Sequence, residues 1–203
     1  MVVKNKAKPI DKIREILENQ NGILLTSDLV KFGIPRTYLS ILVKRGEIRR
    51  ISRGVYSAAG YMIDEMISLQ ARYKGAIFSH ETAIYLLGLT DRTPLFYSMT
   101  VPAAYNATTL KASGAKVYFV KRNLFLLGVI TLKSPHGNDV KTYNLERTIC
   151  DLLRNRNQID IQLLNEALKN YVIHKDRNID QLYNFAKQFR IQKIVREYIE
   201  VLL

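Results

Sequence analysis

Side chains of the kind that contact nucleic acid are concentrated in one short segment of the sequence. Arg36, Thr37, Ser40 and Lys44 recur at spacings that place them on one face of a helix. Guanidinium, ammonium and hydroxyl groups on such a face can donate hydrogen bonds to phosphates and to base edges in a DNA groove. The spacing therefore predicts a helix face that binds DNA.

The surrounding segments predict a helix-turn-helix that positions this face. Helical spacing indicates a first helix over residues 10–17 and a short second helix that begins near Thr26 and ends at Gly33. A third helix is expected from about Pro35 to Arg45, with apolar side chains opposite the polar face. Two short helices joined by a glycine-containing turn are typical of a helix-turn-helix, whose second helix lies in the major groove.

A β-hairpin is predicted directly after the third helix. Two apolar runs flank Ser52-Arg53-Gly54, and glycine suits the positive-φ position of a turn. Because Arg49 and Ile51 would share a face, a bulge or twist is expected in the first strand. This hairpin would form the wing of a winged helix-turn-helix. The DNA-binding residues predicted in this way are Arg36, Thr37, Ser40, Lys44, Arg45, Arg49, Arg50 and Arg53.

An interaction module for proteins is the alternative interpretation of three helices and a hairpin, since helical spacing alone does not separate the two. The distribution of charge favours nucleic acid. The chain of 203 residues has 31 Lys/Arg and 18 Asp/Glu, a net charge of +13. Residues 1–60 contain 12 Lys/Arg and 5 Asp/Glu, a net charge of +7. Residues 61–203 contain 19 Lys/Arg and 13 Asp/Glu, a net charge of +6. A basic segment of this density raises the expectation of a polyanionic partner.

Composition excludes several classes of protein. With 47% hydrophobic residues the chain can form a core, which argues against intrinsic disorder. No stretch approaches the roughly 20 consecutive apolar residues that span a bilayer, so no membrane partner is expected. The single Cys150 excludes a disulfide framework, and a free thiol suits a reducing compartment such as the cytoplasm.

The remainder of the chain predicts a mixed domain, so the expected fold class is α+β. The expected division is a winged helix-turn-helix domain over residues 1–60 and a C-terminal domain over residues 61–203, with a small sheet and several helices. Helices are predicted over residues 61–73, 80–87, 145–154, 158–173 and 179–202, and strands over residues 95–101, 116–121, 124–133 and 140–143.

Basic residues of the C-terminal half form a second candidate surface. They can contact DNA, face a protein partner or remain solvated, and the sequence leaves these three roles open. Three of them recur at i, i+3 spacing and would share a stripe on one helix. The set is Lys111, Lys116, Lys121, Arg122, Lys133, Arg190, Lys193 and Arg196.

Enzymatic chemistry has little support in the sequence, and no catalytic residue, metal site or cofactor is predicted. Asp139 and Lys141 form a D-x-K pair, with Asp91 as a distant partner, but the pair is expected in a surface turn rich in Pro and Gly. His80 is expected at a helix N-terminus with a satisfied hydrogen bond, and Cys150 as a buried structural thiol.

Three blocks of the sequence carry a resemblance to a known family. Residues 79–94 (SHETAIYLLGLTDRTP), Val101-Pro102 and residues 143–153 (YNLERTICDLL) follow one another behind the predicted winged helix-turn-helix. In this order they resemble the AbiE-type antitoxins of bacterial abortive-infection systems, the AbiEi family.

The resemblance implies a bifunctional protein. The N-terminal domain would bind inverted repeats in its own promoter and repress transcription. The C-terminal domain would neutralise a toxin of nucleotidyltransferase type, as a type IV antitoxin whose action does not need a stable complex with the toxin. The alternative is a winged-helix regulator whose C-terminal domain senses a ligand or mediates assembly.

Overall fold

The computed structural model describes residues 8–200, and the chain divides into two compact units. The first unit contains the chain up to Lys74 together with Lys133–Asp139, and the second contains Gly75–Leu132 and the chain from Val140 onward. The fold is of the predicted α+β class. Within residues 8–200, no helix is both long and apolar enough to cross a bilayer.

The first unit has the order of elements predicted for a winged helix-turn-helix. The strands form an antiparallel sheet in the order β1-β3-β2. Strand β1, which appears in the sequence only as a short apolar run, therefore pairs with strand β3 of the hairpin. The helices are α1 (Pro9–Asn19), α2 (Thr26–Lys31), α3 (Thr37–Lys44) and α4 (Glu65–Arg72), and the strands are β1 (Ile23–Leu25), β2 (Ile48–Ser52) and β3 (Val55–Ala58).

An apolar core joins the helices α1, α2 and α3 to the three strands. Helix α3 contributes Leu39 and Leu42 to this core, so its opposite face is directed to solvent. Burying an aliphatic side chain of this size contributes about 1.5–3 kcal/mol. The buried members of the core are Ile13, Ile16, Leu17, Leu24, Leu29, Ile34, Leu39, Leu42 and Ile48.

The buried carboxylate of Asp64 fixes the start of α4. Its Oδ1 accepts a hydrogen bond from the Ile67 amide at 3.1 Å, which caps the helix. Its Oδ2 accepts from Ser134 Oγ and from Asn138 Nδ2, the latter at 2.8 Å. Because these partners lie in the turn Lys133–Asp139, that turn belongs to the first unit.

The first compact unit therefore extends beyond the boundary predicted after residue 60. Helix α4 packs against β2 and β3, and the unit ends at Lys74. The predicted helix over residues 61–73 is also shorter than expected, since it begins only after the Asp64 cap. This boundary cannot be predicted from local sequence, because the residues that donate hydrogen bonds to Asp64 lie about 70 residues further along the chain.

The second unit combines a mixed sheet with helices. The sheet order is β6-β5-β4-β8-β7, in which β5 and β6 are parallel, β4 and β8 are parallel, and β4 and β5 are antiparallel. The strands are β4 (Ile77–Phe78), β5 (Ser98–Pro102), β6 (Lys116–Val120), β7 (Val129–Lys133) and β8 (Asp139–Tyr143). The helices are α5 (His80–Leu86), α6 (Thr108–Ala112), α7 (Arg122–Phe125), α8 (Leu145–Arg154), α9 (Ile161–Ile173), α10 (Ile179–Phe189) and α11 (Gln192–Ile199).

Helix α8 lies at the centre of the second unit. Every residue from Leu145 to Leu153 is buried, and the helix packs against α5, α9, α10 and α11. Asn144 caps it, as predicted, by accepting a hydrogen bond from the Arg147 amide at 3.1 Å. The charged side chains of such a buried helix need partners within the protein, because an unpaired buried charge costs free energy.

Two predicted elements are broken in the structure. The strand predicted over residues 124–133 is strand only from Val129, because α7 precedes it and Gly128 adopts a positive φ of 73°. The helix predicted over residues 179–202 is two helices, because Arg190 adopts the left-handed conformation with φ 59° and ψ 40°. Residues 201–202 of that prediction lie outside the described residues.

Candidate nucleic-acid interface

A cleft of about 620 Å³ in the first unit brings α3, the hairpin, the start of α2 and the end of α4 together. We call it the basic cleft. It is lined by Leu25, Thr26, Ser27, Arg36, Leu39, Ser40, Arg50, Arg53, Gly54, Tyr56, Ala71, Arg72 and Lys74.

The basic cleft has a one-sided charge. Five of its lining residues, Arg36, Arg50, Arg53, Arg72 and Lys74, are cationic, and all five are exposed. Among the residues that the structure describes, none that lines the cleft carries a carboxylate. No carboxylate of the described lining therefore neutralises these positive charges, and an anion that enters the cleft meets cations and hydroxyl groups.

Helix α3 presents Arg36 and Ser40 to the cleft because its other side is held in the core. Leu39 and Leu42 are buried, while Arg36, Thr37, Ser40 and Lys44 are exposed, in agreement with the predicted polar face. Val43, which helical spacing places on the same side of α3 as Leu39 and Leu42, is nevertheless 40% exposed.

The hairpin directs Arg50 and Arg53 into the cleft. Arg50 lies opposite Tyr56 across the β2–β3 ladder, and the register shifts between Arg50 and Ser52, which is the irregularity predicted from the sequence. A bulge re-aims the side chains that follow it. Arg50 and Arg53 therefore line the same cleft although they are not two residues apart.

The tip of the wing is fastened to the start of α2. The carbonyl of Gly54 accepts hydrogen bonds from the Thr26 amide at 2.9 Å and from Thr26 Oγ1 at 3.0 Å. Gly54 has a φ of 81°, and a Cβ built there would lie 2.7 Å from Thr26 Oγ1. Position 54 therefore requires glycine for both conformation and space, and the wing is held before any ligand binds.

Substitution of Gly54 by alanine is expected to destabilise the first unit and displace the wing. Left-handed backbone costs an L-residue about 1–2 kcal/mol, and the Thr26 contact adds to this cost. Gly46→Ala is the matched control, since Gly46 has a φ of 71° but no heavy atom within 4 Å of the point that a Cβ would occupy. Urea unfolding should show a larger loss of stability for Gly54→Ala than for Gly46→Ala. Equal losses in the two variants would contradict the packing argument.

Four predicted DNA-binding residues lie outside the lining of the basic cleft. Arg49 points away from it, and its Nη2 donates to the Tyr61 carbonyl at 3.0 Å. Arg45 Nη1 lies 3.8 Å from Glu47 Oε1. Thr37 and Lys44 are exposed on α3 but do not line the cleft. Arg49 and Arg50 are separated because successive side chains of a strand point to opposite faces.

Sequence reasoning missed five polar residues of the cleft. Thr26 and Ser27 were predicted only to start a helix, and Tyr56 only to lie in a strand. Arg72 and Lys74 follow the end of the wing at Ala58 by 14 and 16 residues, and only the packing of α4 on the hairpin brings them to the cleft. A basic pair at the end of a helix was the one signal present in the sequence.

Half of the predicted C-terminal basic surface is paired with carboxylates. The four ion pairs are Lys116 with Glu81 at 2.8 Å, Lys133 with Asp139 at 2.7 Å, Lys193 with Glu197 at 4.0 Å and Arg196 with Glu200 at 3.4 Å. The Lys111 ammonium lies 5.4 Å from the centre of the Phe119 ring, and Lys121 and Arg122 are exposed at the start of α7. Local pairing reduces the charge that these residues can offer to a polyanion.

The stripe predicted from Arg190, Lys193 and Arg196 is not continuous. Arg190 terminates α10 in a left-handed conformation, whereas Lys193 and Arg196 lie on α11. The spacing of three residues therefore places only Lys193 and Arg196 on one helix face. Asp139, the carboxylate of the D-x-K pair, begins β8 and is paired with Lys133.

The buried imidazole of His80 is held in one neutral form. The residue is 1% exposed, and its ring stacks on Tyr118 with 3.4 Å between centroids. Asn155 Nδ2 lies 2.9 Å from Nε2, and since an amide nitrogen only donates, Nε2 must accept. The ring proton is then on Nδ1, which donates to Ser79 Oγ at 2.9 Å. His80 is thus a satisfied helix N-terminal residue, as the sequence predicted, and Cys150 is buried as well.

His80 should make stability depend on pH. Burial, followed by the charges of Arg147, Arg154 and Lys116, lowers the pKa of His80 well below its ordinary value. Below about pH 6.5 the unfolded chain therefore binds a proton that the folded chain excludes. The free energy of unfolding should fall with decreasing pH in this range, by up to about 1.4 kcal/mol per pH unit from this residue.

The His80→Asn variant isolates this contribution, because asparagine tolerates the positive φ of 48° at this position. The difference in unfolding free energy between the parent chain and the variant should shrink from pH 7.5 to pH 5.5. A difference that stays constant over this range would show that His80 does not titrate in this way.

Comparison with known proteins agrees with the description of the first unit. Residues 11–59, from α1 to the end of the wing, match a family model described as a transcriptional regulator, AbiEi antitoxin. The fold is similar to the crystal structure of the RV2827C protein from Mycobacterium tuberculosis, with a TM-score of 0.60 and 14% identity over 93% of this chain and 75% of that chain. No curated protein matches the chain. The likeness to the AbiEi antitoxin transcriptional regulators is thus confined to residues 11–59, which form the helices α1 to α3 and the wing.

Proposed function

We propose that the chain is an antitoxin that represses its own operon by binding inverted repeats in the promoter. The basic cleft is the observation that supports DNA binding. Its five cations lie among hydroxyl groups, and no carboxylate occurs among the described residues of the lining. Neutralising phosphates with such cations releases condensed counterions, which supplies much of the affinity of proteins for DNA.

The cleft also offers groups for sequence readout. Arg36 lies at the start of α3 and Ser40 one turn further on, both on the solvent face. In a helix-turn-helix, the N-terminal part of the second helix reaches base edges while neighbouring elements contact the backbone. We assign base contacts to Arg36 and Ser40, and backbone contacts to Arg50 and Arg53.

Binding of the full chain to labelled duplexes tests this proposal. One duplex carries the chain's own promoter with its inverted repeats, and a second has the same composition in scrambled order. Specific binding should exceed scrambled binding by at least about 10³-fold at physiological salt. The logarithm of the affinity should fall linearly with the logarithm of salt concentration. Equal affinity for both duplexes, or no binding at low salt, would refute the proposal.

We further propose that the protein neutralises a toxin of nucleotidyltransferase type in the cytoplasm, without a stable complex, as part of a type IV system of phage defence. This part is supported by the family resemblance. Co-expression with the toxin candidate of the same operon should restore growth, while affinity purification should recover the two proteins separately. A cleft variant such as Arg50→Glu should lose repression and keep the rescue, because Arg50 belongs to the first unit.

Ligand sensing by the second unit is the alternative function. One feature favours it, a cleft of about 460 Å³ whose lining combines apolar side chains, such as Leu86, Leu87 and Ile130, with the polar side chains of Glu146 and Gln181. If the chain fails to rescue cells from the toxin and DNA binding responds to a small molecule, this alternative replaces the antitoxin proposal.

A further inference from the structure

We propose that Arg72 and Lys74 contact the DNA backbone and complete a phosphodiester-binding wall of the basic cleft. Both lie outside the segment 11–59 that matches the family model. The inference rests on the proposed DNA binding, and it extends the DNA-binding surface beyond the winged helix-turn-helix to the end of α4.

The position of these two residues is the first argument. Ala71, Arg72 and Lys74 line the same cleft as Arg50 and Arg53 of the wing. Both cationic side chains are exposed, so their charged groups can meet a ligand without prior rearrangement of the core. A DNA strand that enters between α3 and the wing would therefore also meet the end of α4.

The chemistry of the wall indicates phosphate. An arginine offers a planar fork of donors that matches phosphate, and a lysine offers a compact point charge. A cation in the last turn of a helix also stabilises the helix dipole, which accounts for Arg72 alone. Lys74 lies two residues beyond the end of α4 and has no such role. The presence of both in a cleft lined with further cations favours a shared anionic ligand.

Preorganisation of α4 is the second, independent argument. The Asp64 carboxylate caps the helix and is itself held by Ser134 and Asn138, and the helix packs on both strands of the wing. The wing tip is in turn fastened to Thr26. Helix α4 and the wing are thus held in place before DNA binds. This reduces the conformational entropy that is lost when a DNA backbone binds between them.

The double variant Arg72→Gln/Lys74→Gln tests the inference in the full chain. The probe is the promoter duplex, and affinity is measured from about 0.05 to 0.3 M salt. Two lost phosphate contacts should reduce the slope of the log–log salt dependence by about 1.8, and affinity at 0.15 M salt by roughly 30-fold. The ratio of specific to scrambled binding should stay unchanged, since phosphate contacts carry no sequence information.

Two further double variants serve as controls. Lys169→Gln/Lys187→Gln removes the same charge from exposed residues of α9 and α10 and should leave the salt slope unchanged. Arg72→Lys/Lys74→Arg keeps both charges and should keep the slope. If the neutral variant melts below the parent chain, Lys74→Gln alone, which leaves α4 intact, should reduce the slope by about 0.9.

The outcomes separate the inference from the function on which it rests. If the parent chain fails to bind the promoter, the proposed function fails and the inference with it. If the parent chain binds and the Arg72/Lys74 variant keeps its salt slope, the proposed function stands and the inference is wrong. An equal reduction of the salt slope in the Lys169/Lys187 control would show that the net charge of the chain alone causes the effect, and it would also overturn the inference.

Discussion

Replacing Arg147 by alanine is expected to lower the free energy of unfolding by about 3–5 kcal/mol, the loss typical of removing one partner from a buried ion pair. Arg147 lies on the central helix α8 and is completely buried, with 0% of its side chain exposed. Its removal leaves the Asp151 carboxylate in an apolar core with a single, partly exposed cation, Arg154. Urea denaturation followed by circular dichroism measures the loss.

The contacts of Arg147 explain why so large an effect is expected. Its Nε donates to Asp151 Oδ2 at 2.9 Å, and its Nη1 donates to the carbonyls of Leu124 and Leu127 at 2.7 and 2.8 Å. The guanidinium lies 4.1 Å from the centre of the Tyr143 ring and 4.5 Å from that of Phe189. One side chain thus satisfies a buried charge and the carbonyls of the segment before β7.

Arg154→Ala provides the control for this prediction. Arg154 pairs with the same carboxylate at 3.2 Å, but its side chain is 28% exposed. Water can replace much of this contact, so a loss of at most about 1 kcal/mol is expected. Burial already raises the pKa of Asp151 in spite of both arginines, and the Arg147→Ala variant should raise it further. Similar losses for the two alanine variants would contradict the assignment of Arg147 as the main partner.

Reversing the charge of Arg36, Arg50 and Arg53 together should abolish specific DNA binding. Each lost contact costs about 1–3 kcal/mol, which corresponds to a loss of at least about 100-fold for three contacts, before the repulsion of new carboxylates is counted. All three side chains are exposed, so the thermal stability of the chain should remain near that of the parent. Fluorescence anisotropy with the promoter duplex measures the affinity.

Single reversals at neighbouring positions sharpen this test. Arg50→Glu and Arg49→Glu make the same change of charge on adjacent residues of β2. Arg50 lines the basic cleft, whereas Arg49 donates to the Tyr61 carbonyl outside its lining. Arg50→Glu should therefore weaken binding much more than Arg49→Glu. Equal losses would mean that DNA approaches the wing from another side than the cleft.

The elements of this fold that depend on local signals were predictable. Helix α8 has the predicted bounds 145–154, because Asn144 caps it and its apolar residues recur at helical spacing. The irregular hairpin was predicted from the failure of alternation near Arg49 and Ile51, and the register shift lies there. Breaks caused by backbone conformation were missed, such as the left-handed Arg190, since arginine carries no signal for that conformation.

Groups brought together from distant parts of the chain were beyond the reach of sequence patterns. Helical spacing identifies a polar face on α3, but it does not predict which residues of other elements lie next to that face. The Asp64 network is an example, because its donors Ser134 and Asn138 come from a turn between two strands of the other sheet. Periodicity describes neighbours within one element, whereas a cleft is formed by several.

The sequence by itself determined the α+β class, the order of helices and strands in the first unit, the polar face of α3 and the basic character of that unit. Those features follow from hydrophobic periodicity, capping residues and composition, which act over a few residues. Only the tertiary structure decided that Arg50 rather than Arg49 lines the cleft, and that Arg72 and Lys74 join it. Strand register and the docking of α4 make that choice, because they depend on packing and on hydrogen bonds between residues far apart in the chain.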